Sequence, residues 1–288
     1  MKPKIMKISM KSNLRMEKLI GLLLMFIFCL TAQNVMAQRG KLFNSDNQLS
    51  SNLATQVFQD SNGFIWIATR NGLNIYDGYN FTVIRKTKED NRELSSNYIN
   101  CITQDAQGHI LLGTNNSLLL YTGKSYANIP LLDSKNQPVS TYVTQVYRLK
   151  NNDIAVVTSG YGIMLKKEDA EVCYAMKGEV ENLKFIHKIL EDKQERLWII
   201  LESGKLYRAD KKRKLTKQIP GTETLEAQDI QQDNKGNIYL ATKNDGVYLL
   251  KAGSTVFTKI AGIGNLPIES IYISRDQRLF IGCDGMGI

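Results

Sequence analysis

Leu49-Ser50-Ser51-Asn52, followed by Gln59-Asp60-Ser61-Asn62-Gly63-Phe64-Ile65-Trp66-Ile67-Ala68-Thr69, returns 45 residues on as Leu94-Ser95-Ser96-Asn97, followed by Gln104-Asp105-Ala106-Gln107-Gly108-His109-Ile110-Leu111-Leu112-Gly113-Thr114. A fixed period of this length constrains the fold more than any local pattern, because each unit must adopt one supersecondary structure and bury its apolar faces against its neighbours. The Trp66 column continues through Leu111, Ala155, Trp198, Tyr239 and Phe280, at spacings of 45, 44, 43, 41 and 41 residues. Six units result, near 49–84, 94–129, 139–175, 182–219, 225–260 and 266–288.

Within the first unit, turn residues separate four strand candidates: Thr55–Gln59, Phe64–Ala68, Leu73–Tyr76 and Phe81–Ile84. Asp60-Ser61-Asn62-Gly63 suits a tight reversal, since the Asp side chain accepts from nearby backbone N–H groups and Gly63 supplies a positive φ. Asn71-Gly72 and Asp77-Gly78 mark the next two turns. No segment leaves room for a long helix. Four short antiparallel strands in 40–45 residues predict an all-β fold, a β-propeller of four-stranded blades. The composition agrees: 43% hydrophobic residues can build a core, and 21 glycines and 13 tyrosines suit strands and turns.

Ile65 to Gly78 resembles the two-component regulator propeller repeat, and Leu94 to Gly123 resembles a second copy. Units three and four depart from it, with Ala155 in place of the aromatic and no Asp-x-x-Gly turn at Lys150–Asp153 or Asp192–Glu195. The resemblance implies a periplasmic, ligand-sensing input region of a hybrid two-component histidine kinase that recognises a glycan fragment. It implies further that the intact protein is anchored in the inner membrane by downstream segments and works as a homodimer. The chain stops inside the expected hairpin of unit six, which reads as an N-terminal fragment without the kinase.

The first 37 residues follow another logic. Lys2, Lys4, Lys7, Lys11, Arg15 and Lys18 precede a twelve-residue apolar run, Leu19 to Leu30, and Val35-Met36-Ala37 ends in a small-x-small pattern before Gln38. The run is shorter than the ~20 residues that span a bilayer, so a cleaved secretory signal peptide is expected, with a periplasmic destination. Without the leader the net charge falls from +9 to +4, which removes the main support for nucleic-acid binding. The run Lys211-Lys212-Arg213-Lys214 is expected to be a solvated hairpin turn. Cys101, Cys173 and Cys283 are odd in number and widely spaced, so no disulfide framework is read, and His109 and His187 offer no metal-ligand spacing.

No catalytic constellation, cofactor motif or metal site is legible, and the acidic residues fall mostly at turns. Ligand contacts are expected instead from the hairpin loops after each Trp66-type strand, at one mouth of the channel: Arg70, Asn71, Asn115, Asn116, Tyr161, Lys243 and Asn244. Amides and aromatics are what sugar hydroxyls and ring faces require. Hairpins demand Asn and Gly for conformational reasons as well, so an exported interaction or structural propeller is the alternative, and a propeller lyase or hydrolase a third. The leader makes a direct prediction. Expressed with residues 1–37 in a Gram-negative host, the protein should be recovered from the periplasm with Gln38 at its N-terminus on Edman sequencing, and a retained Met1 or Met16 in a membrane fraction would refute cleavage.

Overall fold

The computed structural model of the protein describes residues 42–86, 94–217 and 219–283; the leader and residues 284–288 lie outside the described residues. From Asn44 onward the chain forms one compact unit, an all-β propeller of five blades and the first two strands of a sixth. The first strands of the blades are Ala54–Gln59, Ile99–Gln104, Val143–Arg148, Ile186–Glu191, Ala227–Gln232 and Ile268–Ile273. Each pairs antiparallel with a second strand: Ile65–Thr69, Ile110–Thr114, Ile154–Thr158, Leu197–Leu201, Ile238–Thr242 and Leu279–Cys283. The first strands also pack on one another from blade to blade, so they form the inner edge of the array.

Each blade is apolar on both faces, and the clusters of buried residues coincide with the interfaces between blades. Trp66, Ala68 and Leu73 of blade one meet Ile102, Ile110 and Leu112 of blade two. Trp198 and Ile200 of blade four meet Ile230, Ile238 and Leu240 of blade five. One column shows the rule: Ile102, Val146, Ile189, Ile230 and Ile271 are each no more than 4% exposed, whereas Val57, their equivalent on the outward face of blade one, is 62% exposed. Polar side chains on the first strands join the same interfaces. The Gln56 amide donates to the Ile102 carbonyl (3.1 Å) and accepts from the Ile102 N–H (2.9 Å). Gln145 grips Ile189 in the same way (3.1 and 2.7 Å), and Asp229 accepts from the Ile271 N–H at 2.9 Å while pairing with Lys188.

Blade three departs from the four-stranded expectation. Its outer strand, Cys173–Ala175, pairs in parallel with Leu131–Leu132, which is followed antiparallel by Pro138–Val139, giving a sheet of six strands. The segment after blade two is long enough to fold back, and Leu131 is drawn to 2% exposure in the interface cluster. Pro138, which cannot donate to a ladder, takes the outermost strand.

The turn between first and second strands is the same in all six blades. In blade one the Asp60 N–H donates to the Phe64 carbonyl and the Gly63 N–H to the Asp60 carbonyl, while Asp60 Oδ1 accepts from Asn62 and Phe64. Gly63 has φ 92°. The departures in units three and four are in residue type, not geometry. Asn152 and Glu195 take the left-handed position with φ 68° and 59°, and the unit-three turn begins one residue earlier than expected, at Leu149. Asp192 accepts from Gln194 and Arg196 N–H as Asp60 does from its neighbours. The second oxygen reaches into the blade: Asp60 Oδ2 accepts from Trp66 Nε1 and Asp192 Oδ2 from Trp198 Nε1, both at 2.8 Å. The basic run at 211–214 forms a turn of this kind around Asp210, with Lys211 paired to Glu195 at 3.0 Å.

Two outcomes follow. Asp192→Ala orphans a buried indole N–H, which alone costs about 1–3 kcal/mol. Trp198→Phe should therefore be less damaging in that background than in the wild type, as measured by urea denaturation. Burial raises the Asp233 pKa, but hydrogen bonds from Asn237, Lys235 and Gly236 outweigh it and leave the carboxylate below its ordinary value. A lowered folded pKa stabilises the protein above the unfolded value and is lost as pH falls through the folded one, so the melting temperature should drop below about pH 4. Asp233→Asn should flatten that acid limb.

Candidate functional site

The second strand of each blade runs away from the Asp turn, so the loop that follows it lies at the opposite end, beside the residue that leads into the first strand. Backbone hydrogen bonds fix this pairing: Arg70 N–H to the Leu53 carbonyl (3.2 Å), Ser159 to Tyr142 (2.9 Å), Glu202 to Phe185 (2.8 Å) and Lys243 to Glu226 (2.9 Å). Two rings of residues thus share one rim. The loop ring holds Arg70, Asn115, Ser159, Glu202 and Lys243. The lead-in ring holds Leu53, Tyr98, Tyr142, Phe185 and Glu226, one position before each first strand.

Four of the five lead-in residues are apolar or aromatic where a surface should be polar, the fifth being Glu226. Leu53, Tyr142 and Phe185 are 58%, 39% and 57% exposed. Phe185 also has φ 52°, a left-handed conformation that costs a bulky residue about 1–3 kcal/mol and is found preferentially at functional sites. The Arg70 guanidinium lies 5.5 Å from the Tyr98 ring centroid, and the Tyr98 and Tyr142 rings meet edge to face at 6.1 Å. Burial, then the hydrogen bond with Tyr98, pushes the Tyr142 hydroxyl up to about 12, so it stays neutral across the physiological range.

The residues expected from the sequence divide accordingly. Arg70 belongs to the aromatic corner; Asn115, Tyr161 and Asn244 are exposed on the loops. Asn71 and Asn116 work within their hairpins: the Asn71 N–H donates to Thr69 Oγ1 and its carbonyl accepts from Arg85, while Asn116 Oδ1 accepts from Thr114 Oγ1. Lys243 stands on the rim near Glu226. Sequence reading missed Tyr98, Tyr142 and Phe185. Their signal was available, an apolar residue at one repeat position where no strand had yet begun.

A concavity of about 390 Å³ opens at the Asp-turn end between the first strands of blades three to five, with Tyr147, Lys150, Lys188, Glu191 and Asp233 in its wall. Two of its charges are engaged within the protein: Lys188 pairs with Asp229, and Glu191 accepts from the Lys150 backbone N–H at 2.7 Å. Burial raises the Cys101 and Cys173 thiols to about 12, so neither is a nucleophile at neutral pH. Among the described residues no group of three or more His, Cys, Asp or Glu is placed to hold a metal ion. No helix among them is long and apolar enough to cross a membrane.

The two component regulator propeller family matches residues 48–71 and 93–116. Histidine kinase P4 of Formosa agariphila is 33% identical over 76 residues, 25% of this chain and 6% of that one. Among solved structures, the extracellular domain of a hybrid two-component system of B. thetaiotaomicron superposes with a TM-score of 0.66 at 17% identity, covering 82% of this chain and 36% of that one. Virginiamycin B lyase of Staphylococcus aureus superposes with a TM-score of 0.61 at 12% identity, covering 85% and 88%. The chain therefore spans about a third of the sensor domain and a small part of the kinase. At these identities the structural likenesses establish the fold.

If the rim is free of structural duties, Arg70→Ala and Asn115→Ala should each change unfolding free energy by no more than about 0.5 kcal/mol, as surface substitutions do. Differential scanning calorimetry would detect a larger loss.

Proposed function

We propose that this chain, which carries two-component regulator propeller repeats, is the periplasmic ligand-sensing region of a hybrid two-component regulator and recognises a glycan fragment at the Tyr98–Phe185 rim. The observation that carries the reading is the coincidence of regulator-type repeats at residues 48–71 and 93–116 with exposed aromatics set around one mouth of the array. Exposed aromatic faces beside Arg70, Asn115 and Lys243 suit a ligand with apolar ring faces and many hydroxyls. A sensor needs only a ligand affinity that differs between two signalling states, so chemistry at the site is not required of it. The basic leader supports export, and the histidine kinase relative supports a downstream kinase acting as a dimer across the inner membrane.

A second reading is an exported interaction or structural module, since a propeller scaffold does not fix its function. Isothermal titration against a panel of neutral and acidic plant and host oligosaccharides separates the two. Binding of one class at modest affinity, lost in Tyr142→Ala, is the expected result. A flat response across the panel would leave the interaction module as the better account.

A further inference from the structure

We infer that Arg70, Tyr98 and Tyr142 form a subsite for a carboxylate attached to a sugar-sized ring. The inference rests on the reading of this rim as the ligand site and narrows the ligand to an acidic one. Two arginines stand on the first blade at this end, and they differ in what they do. Arg85 is committed to the fold, its Nε donating to the Asn71 carbonyl at 3.1 Å and its Nη2 to the Ser50 carbonyl at 2.9 Å. Arg70 makes no side-chain hydrogen bond or ion pair among the described residues; its guanidinium only stacks over Tyr98. The Tyr98 ring, 5.5 Å away, holds the cation at this corner while its N–H donors are unspent, and a guanidinium can take a carboxylate through two parallel hydrogen bonds.

Tyr142 completes the corner. Its ring stands at 62° to Tyr98, so the two rings offer walls in different directions. Charge around the rim points the same way. The loop and lead-in positions of blades one to three carry Arg70, Asn115, Ser159, Leu53, Tyr98 and Tyr142, with no acid; those of blades four and five carry Glu202 and Glu226 beside Lys243. An acidic ring is therefore directed to blades one to three, and a neutral or hydroxyl-rich remainder to the other side.

The test uses the full chain and two probes of equal length, trigalacturonate and its fully methyl-esterified form, titrated calorimetrically into the wild type and into Arg70→Gln and Arg70→Lys. The acid should bind about tenfold or more tighter than the ester, in keeping with a bidentate charged contact. Arg70→Gln should bring the two probes level by lowering acid affinity far more than ester affinity, and Arg70→Lys should restore only part of the difference, because an ammonium lacks the planar fork. Equal binding of acid and ester to the wild type would overturn the carboxylate subsite and leave the glycan reading standing. A preference that survives in Arg70→Gln would place the anion elsewhere and overturn the assignment. If neither probe binds, the subsite is refuted, and the glycan reading is then decided by the neutral members of the panel. Unchanged melting temperatures of the variants establish that the loss is local.

Discussion

A blade of some forty residues has two apolar faces and cannot bury either of them alone. Everything else in this chain follows from that constraint. The Trp66-type residues on one face and the Ile102-type residues on the other exist to meet across a blade interface, and the buried clusters of the protein are these interfaces, not the interiors of single sheets. The contrast between Val57 and its five buried equivalents measures what a neighbouring blade does: the same residue type at the same register is covered or open according to whether a blade packs on it.

Packing of flat apolar faces is non-directional, and polar contacts supply the registration. Gln56 and Gln145 each bind both backbone groups of one residue in the next blade, as an added strand would. Asp60 and Asp192 link the hairpin turn to the indole of the second strand, so the residue that reverses the chain also orients the largest side chain of the interface. With the inner edge fixed, both strand ends are fixed, and the two ends acquire different tasks. At the Asp-turn end the turn carboxylates are spent on backbone and indole hydrogen bonds. At the other end the lead-in residues meet the second-to-third-strand loops, and there the backbone is secured while side chains remain free to vary. The aromatic corner stands on that end.

The regulator resemblance and the lyase likeness illustrate why such a scaffold does not carry its function with it. Both superpose on this chain with similar scores, 0.66 and 0.61, although one is part of a hybrid two-component system and the other is a lyase. Arg70 against Tyr98, and Phe185 in a left-handed backbone, are features of this chain's own rim.

The repeat period, the strand count per blade, the Asp turns and the interface columns are written into the sequence, because each follows from local periodicity and turn chemistry that recur six times. Phe81–Ile84 is observed with its expected bounds, and the Trp66 column is buried through Tyr239 or nearly so. What sequence could not show was which polar loop residues were free. Asn116 spends its Oδ1 within its own hairpin and Asn71 bonds there through its backbone, whereas Tyr98, Tyr142 and Phe185 read as strand-flanking hydrophobes and stand at the rim. The turn at Glu195 makes the same point in reverse: a residue type with no preference for positive φ adopts it because the strands on either side are held by their interfaces. Periodicity determines which face a side chain takes within a blade. Which side chains from different blades meet is decided only when the sheets pack, since those residues are more than forty positions apart and no local pattern relates them.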